Sequence, residues 1–142
     1  HQHSPSPQEA AQEKGVYSIG YNPGMAKFAP KAHLTATIWN WVAYDEELIA
    51  GVRSGTWTAR ADWPGIAEGV VNLAPFGPMV PKEVQDKVLA KKAAIIDGKE
   101  KVFVGPIKDQ SGTVRIAEGV VAPDADLLSM DWFVQGVVGT TE

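Results

Sequence analysis

Short runs rich in β-branched and apolar residues alternate along this chain with longer runs of helical period, and a glycine or proline stands at most of the boundaries. That alternation selects a layered α/β fold over an all-helical or all-strand one. The strand candidates are residues 16–21 (VYSIGY), 32–38 (AHLTATI) and 69–73. The first is too apolar to face water on both sides. Before the first of them, residues 7–14 form a short helix, with Ser6 as cap, Pro7 at its first position, Glu9 completing a capping box and Gly15 as the stop. From Trp41, the residues Tyr44, Leu48, Ile49 and Val52 recur at helical spacing until Gly55. A loop with Trp57, Trp63 and Pro64 leads into the third strand. A further helix starts at Pro81, with Val84, Val88, Leu89, Ile95 and Ile96 on one face, Lys82, Lys87, Lys91 and Lys92 toward solvent, and Gly98 closing it. The segments 101–108 and 113–117 flank Asp109-Gln110-Ser111-Gly112, a hairpin signal. A short helix over 124–130, capped by Asp124 and Asp126, and a strand over 132–138 complete the chain. The expected fold is a mostly parallel sheet flanked by helices, with a late antiparallel hairpin.

Length and charge narrow the function. At 142 residues the chain suits one compact domain, and 44% apolar with 21% charged residues excludes wholesale disorder. Thirteen basic against seventeen acidic residues leave a net charge of -4, which gives no footprint for a nucleic-acid backbone or an anionic membrane surface. With no cysteine there is no disulfide framework and no thiolate metal site. No stretch approaches the ~18 apolar residues of a membrane helix. The opening HQHSPSPQEAAQEKG has no signal-peptide layout and no initiator Met, so the chain reads as a fragment or processed product. The hexapeptide IAEGVV occurs at 66–71 and 116–121 with unlike flanks, and reads as coincidence rather than as a repeat.

Catalytic signatures are missing: there is no phosphate-binding glycine loop, no His-Glu-x-x-His and no Gly-x-Ser-x-Gly. His1 and His3 have no evident third metal ligand, and His33 lies at a strand start. Asp45, Glu46 and Glu47 are adjacent in a helix and do not converge on one face, so they read as a solvated surface. No cofactor, no metal and no enzymatic activity are expected. The suggestive positions are strand ends, because ligands of open α/β sheets bind beyond the carboxyl ends of the strands. Asn22 follows the first strand, and Trp39 and Asn40 follow the second. A flat ring beside amides that both donate and accept suits a planar heterocycle. Trp41, on the apolar face of its helix, reads as packing.

The strings EKGVYSIGYN (13–22), MAKFAPKAHLTATIWNW (25–41), GTW (55–57), NLAPFGP (72–78) and GPIKDQSG (105–112) resemble, in that order, the C-terminal part of the basic membrane protein (BMP) family, extracytoplasmic substrate-binding lipoproteins of ABC importers. The resemblance runs from about residue 1 to about 139. It implies one lobe of a type I periplasmic-binding-protein fold, in which two α/β lobes hinge around a purine nucleoside or related ligand. The N-terminal lobe, the signal peptide and the lipidated cysteine would lie outside residues 1–142. Nucleoside-binding members place an Asp where this chain has Asn22, a Lys where it has Trp39, and Asp-Ser-Pro where it has His3-Ser4-Pro5. Charged contacts thus give way to neutral and aromatic ones. Losing a carboxylate that grips ribose hydroxyls and gaining an indole favours a free purine base such as adenine over a nucleoside. The resemblance therefore implies a solute-binding protein with His3, Ser4, Asn22, Trp39 and Asn40 as ligand contacts. Its partners would be a purine base or nucleoside and an ABC-transporter permease, with no nucleic acid and a membrane tie only through a lipid anchor. The alternative is an effector-binding domain of a sensor or transcriptional regulator, since this fold serves there too.

Overall fold

The computed structural model describes residues 4–22 and 25–141, the Ala43 side chain excepted. The chain divides into two units, residues 1–97 and 98–142. The first carries α1 (Ser6–Glu13), β1 (Ser18–Tyr21), β2 (His33–Trp39), α2 (Trp41–Ser54), β3 (Val71–Leu73) and α3 (Lys82–Ile96). The second carries β4 (Ile107–Lys108), β5 (Val114–Ile116) and α4 (Asp124–Leu128). The molecule is mixed α/β, as its alternating pattern requires.

In the first unit β2 is the central strand of three, parallel to β1 and antiparallel to β3. The mostly parallel sheet expected here is therefore corrected to one parallel and one antiparallel pairing. After β2 the chain runs through α2 and then through residues 55–70 without a second helix. That extended segment crosses back to the C-terminal end of β2, so β3 enters beside Trp39, pairs Val71 with it, and runs the other way.

Small residues let α1 close onto the sheet. Ala11 of α1 clusters with Ala29 and Ala32, which are fully buried, as is Ala36. Gly20 continues this floor: a Cβ there would stand 3.2 Å from both the Ala36 Cβ and the His33 Cε1. Buried Gln8 supplies polar pairing, since its Oε1 accepts from the Ser18 hydroxyl, and the Gln12 Oε1 accepts from the Lys31 N–H at 2.9 Å.

Several local expectations change. Pro5 rather than Ser6 caps α1: its carbonyl accepts from Gln8 and Glu9, and no capping box forms because Ser6 is already helical. Gly15 and Gly55 end α1 and α2 at positive φ, as the punctuation indicates. β1 is shorter than its apolar run; Gly20 is buried and Ile19 is 66% exposed, so one face is covered and the other open. Trp41, Ile49 and Val52 of α2 are exposed, and α3 has no buried residue, so neither helix buries the whole apolar face its spacing marks. Pro123, not Asp124 or Asp126, precedes α4 at its cap.

The second unit is organised by one carboxylate. Asp109 Oδ1 accepts from the Ser111 N–H (2.9 Å), the Ser111 hydroxyl (2.6 Å) and the Thr113 N–H (3.0 Å), closing the β4–β5 turn from inside. Its Oδ2 accepts from Arg115 Nε at 2.7 Å, and that guanidinium lies 5.7 Å from the Trp132 ring centre. The Ser111 hydroxyl, then Arg115, hold the Asp109 carboxyl at about 2, well below the usual carboxylate range. The strand expected over 132–138 is reduced to a single bridge, Asp109 to Val134. The chain there is tied by loop bonds instead, with Gln110 Nε2 donating to the carbonyls of Val137 (2.9 Å) and Gly139 (3.0 Å).

Two predictions follow from this packing. A Cβ on Gly77 would stand 2.1 Å from the His33 carbonyl oxygen, a backbone atom with no rotamer to retreat to. Gly77→Ala is expected to cost about 3 kcal/mol or more in thermal unfolding. Gly55→Ala, left-handed but with nothing within 4 Å, costs only ~1 kcal/mol; equal losses would show that Gly77 is not a contact position. For Asp109, a carboxyl depressed in the folded state contributes stability above its unfolded pKa of ~3.9 and loses it as pH falls toward 2. The Ser111 and Thr113 amide resonances should hold their positions to below pH 3, whereas a midpoint near 4 would contradict the closed turn.

Candidate functional site

The C-terminal ends of β1 and β2 lie side by side because the two strands are parallel, with Tyr21 opposite Thr37. Asn22 follows β1 at φ 46, in the left-handed region that asparagine tolerates, and its N–H reaches the Thr37 carbonyl at 2.7 Å. Trp39 is the last residue of β2 rather than the first beyond it. Asn40 caps α2 by position only: its side chain makes no capping bond, while its N–H donates to the Val70 carbonyl at 2.7 Å. Asn22, Trp39 and Asn40 are thus gathered at one end of the sheet. Ser4 lies exposed in the bend before α1, its hydroxyl 3.2 Å from that of Ser6, and His3 falls outside the described residues.

Around Trp39 the aromatic residues form a continuous wall. Trp39 meets Tyr21 edge to face at 6.5 Å and stacks on Trp41 at 5.8 Å with planes 20° apart, and Trp41 meets Tyr44 at 6.3 Å and 70°. These are the offset and edge arrangements that ring quadrupoles favour. Trp41 is therefore not core packing as its helical face implied: it is 52% exposed and shares with Trp39, Tyr44, Asp62, Trp63 and Val71 the lining of a cavity of about 430 Å³. That volume is in the range of small-molecule pockets. The helical wheel missed this because Trp41 sits on the first turn of α2, two residues after a strand, where its neighbours are Trp39 and the 55–70 segment.

A polar brace holds that segment. Arg60 Nε donates to both Asp62 oxygens (2.7 and 2.9 Å), and Arg60 Nη2 donates to Glu47 at 2.7 Å. The Tyr44 hydroxyl donates to Asp62 Oδ2 at 2.6 Å. Tyr44, then Arg60, hold the Asp62 carboxyl below its usual range, and the same bond to Asp62 raises the Tyr44 phenol. Glu68 is lowered by the Gly65 N–H, which donates to it at 2.7 Å. A smaller cavity of about 260 Å³, lined by Tyr44, Glu47, Arg60, Asp62, Trp63 and Glu68, shares Tyr44, Asp62 and Trp63 with the aromatic one. Glu47, read from sequence as mere surface, is thus a tie to Arg60. Sequence reasoning also missed Asp62 and Trp63; the signal available was an Arg-x-Asp-Trp run in an otherwise featureless loop.

The arrangement offers ring faces and ionised groups already committed to partners. Neither lining contains a serine, histidine or lysine that could act as nucleophile or base. Among the described residues no cluster of three or more metal-ligating side chains occurs, and no helix is long and apolar enough to cross a membrane.

The family model for PnrA-like ABC-transporter substrate-binding proteins, Bmp, matches residues 1–111. A purine-binding protein of Brucella abortus is 36% identical over 129 residues, covering 91% of this chain and 37% of that protein. A protein of Haloferax volcanii named for glucose binding in an ABC transporter is 35% identical over 104 residues, 73% of this chain and 27% of its own. The chain therefore spans well under half the length of either relative. The crystal structure of a transcriptional activator of the comK gene from Bacillus halodurans aligns at a TM-score of 0.59 and 22% identity, over 66% of this chain and 33% of that one, a likeness of fold alone. With a model match over most of its length, the chain belongs to the Bmp family of PnrA-like ABC-transporter substrate-binding proteins.

Proposed function

We propose that residues 1–142 are the C-terminal portion of a type I periplasmic-binding-protein fold, and that this portion grips a purine base for an ABC importer. The observation that carries the reading is the position of Trp39: the end of the central strand, at the same end of the sheet as Asn22 and Asn40, where it lines an aromatic-walled cavity that neither amide lines. A purine presents two π faces, which a tryptophan wall matches, and an edge of mixed donors and acceptors, which the Asn22 and Asn40 amides at that end of the sheet would meet. The Brucella relative, named for purine binding, supports the same class. Ser4 and His3, ahead of α1, would complete the contacts in a closed cleft. A preceding lobe would cover the ligand by hinge closure, the permease would receive it, and the working location would be extracytoplasmic with a lipid anchor. Asn22 in place of a carboxylate leaves ribose hydroxyls without their strongest acceptor, so a free base is preferred to a nucleoside.

In titrations of the 142-residue chain, adenine is expected to bind more tightly than guanosine or inosine. All should bind weakly, because one wall of a cleft leaves half the ligand wet. Trp39→Ala should weaken adenine about ten- to a hundredfold, the range of base stacking on an aromatic ring. Tighter binding of guanosine than of adenine, or an indifferent Trp39→Ala, would sink the purine-base reading.

A further inference from the structure

We infer that Asp62 and Trp63, carried by the segment between α2 and β3, form a second wall of the ligand site. This wall admits a planar heterocycle with an N–H edge and refuses its phosphorylated forms. The inference deepens the solute-binding reading above and rests on it.

Trp63 lines the aromatic cavity yet is 63% exposed. An indole left this wet, on a segment braced at Arg60 and Asp62, is apolar surface that a bound ring would cover. Trp41 and Tyr44 already stand nearly perpendicular, so a flat molecule stacked along Trp41 presents its edge toward Tyr44 and its bonded partner, Asp62. Asp62 Oδ2 accepts from both Tyr44 and Arg60, whereas Oδ1 accepts from Arg60 alone and keeps a lone pair for a ligand N–H. The Asp62 side chain is 21% exposed and so within reach.

Charge sets the second half of the selectivity. The two joined cavities are lined by the carboxylates of Glu47, Asp62 and Glu68 against the single guanidinium of Arg60. Arg60 Nε and Nη2 are already bound to Asp62 and Glu47. A phosphate brought here meets an excess of negative charge, with its one cation largely engaged. A ligand with an N–H or cationic edge meets the opposite field. A phosphate-ester hydrolase must then act on a nucleotide before its base or nucleoside reaches this site.

The test is titration of the 142-residue chain with adenine, adenosine and adenosine 5′-monophosphate at up to millimolar concentration, for wild type, Asp62→Asn and Trp63→Ala. Adenosine is expected to bind about tenfold or more tightly than the monophosphate, as for like charges under 10 Å apart at a half-wet surface. Asp62→Asn narrows that ratio, and Trp63→Ala weakens adenine about tenfold. A general loosening of the segment weakens all ligands alike and leaves the ratio in place, so the ratio reports the charge itself. If adenine binds but neither variant changes its affinity or the ratio, the second wall is overturned while the purine reading stands. If adenine fails and benzamidine, a planar amidine, binds in a manner lost in Asp62→Asn, the wall stands and the purine reading falls. Failure of every probe overturns both.

Discussion

The pairing of β2 on both of its edges is the constraint from which the first unit is built. One edge takes β1 in parallel, which sets the ends of the two strands together and delivers Asn22 beside Thr37. The other takes β3 in antiparallel register, and beyond it the Ala74 and Gly77 amides reach back to the carbonyls of Ala36 and Leu34 at 2.8 and 2.7 Å. The Thr35 hydroxyl adds a bond to the Ala74 carbonyl at 2.8 Å. With its backbone groups satisfied on both sides, β2 is a rigid rail, and Trp39 is its final residue. A site on a strand end keeps its geometry better than one on a loop. The alanine and glycine floor serves the same end, because it lets α1 approach closely enough to bury Gln8 and His33.

Against that rail the 55–70 segment is the irregular part. It has no regular structure, yet beyond its first residues it is tied back to α2 through Arg60 to Glu47 and through Asp62 to Tyr44. Arg60 and Glu47 are both exposed, so that ion pair alone is worth little. The value of the ties is positional. Tyr44 is at once a wall of the cavity and the anchor of the segment, so whatever touches its ring also touches the brace.

Much of this was legible before any coordinates. The strand-and-helix alternation, the glycine stops at Gly15 and Gly55, the hairpin about Asp109 and the family resemblance carried by KFAPKAHLT, LAPFGP and GPIKDQSG all come from local chemistry, which a sequence displays directly. What was hidden depends on long-range return. β3 reverses direction because of how residues 55–70 cross back, and no periodicity encodes a crossing. Trp41 looked like core because helical spacing records which residues share a face but not whether anything covers that face. The partners of Asp62 are 18 residues away at Tyr44 and two away at Arg60, and only the fold makes them one cluster. The two copies of IAEGVV are instructive in a smaller way. Both place their glycine, Gly69 and Gly119, at positive φ (76° and 72°), but Ile66 opens a turn closed by the Gly69 N–H whereas Ile116 ends β5 and the Val120 N–H closes onto Ala117, so identical local sequence keeps the glycine conformation and the surroundings set the turn.

The apolar surface left open in the first unit bears on affinity. Trp41 and Trp63 line the cavity and are more than half exposed, and Val42, Ile49 and Val52 of α2 are exposed as well. A fully buried large apolar side chain is worth about 1.5–3 kcal/mol relative to an exposed one. A ligand seated on one wall captures only part of that, since its own outer face stays wet. A second surface closing over ligand and indoles together would capture the remainder and dry the site. Drying would also strengthen hydrogen bonds to a lining group such as Asp62, because the competing water would be gone. Were a second surface to close in this way, binding and closure would draw on the same apolar area, and ligand affinity would be coupled to the closing equilibrium. A residue such as Trp63 should influence both, even where its direct contact with ligand is small.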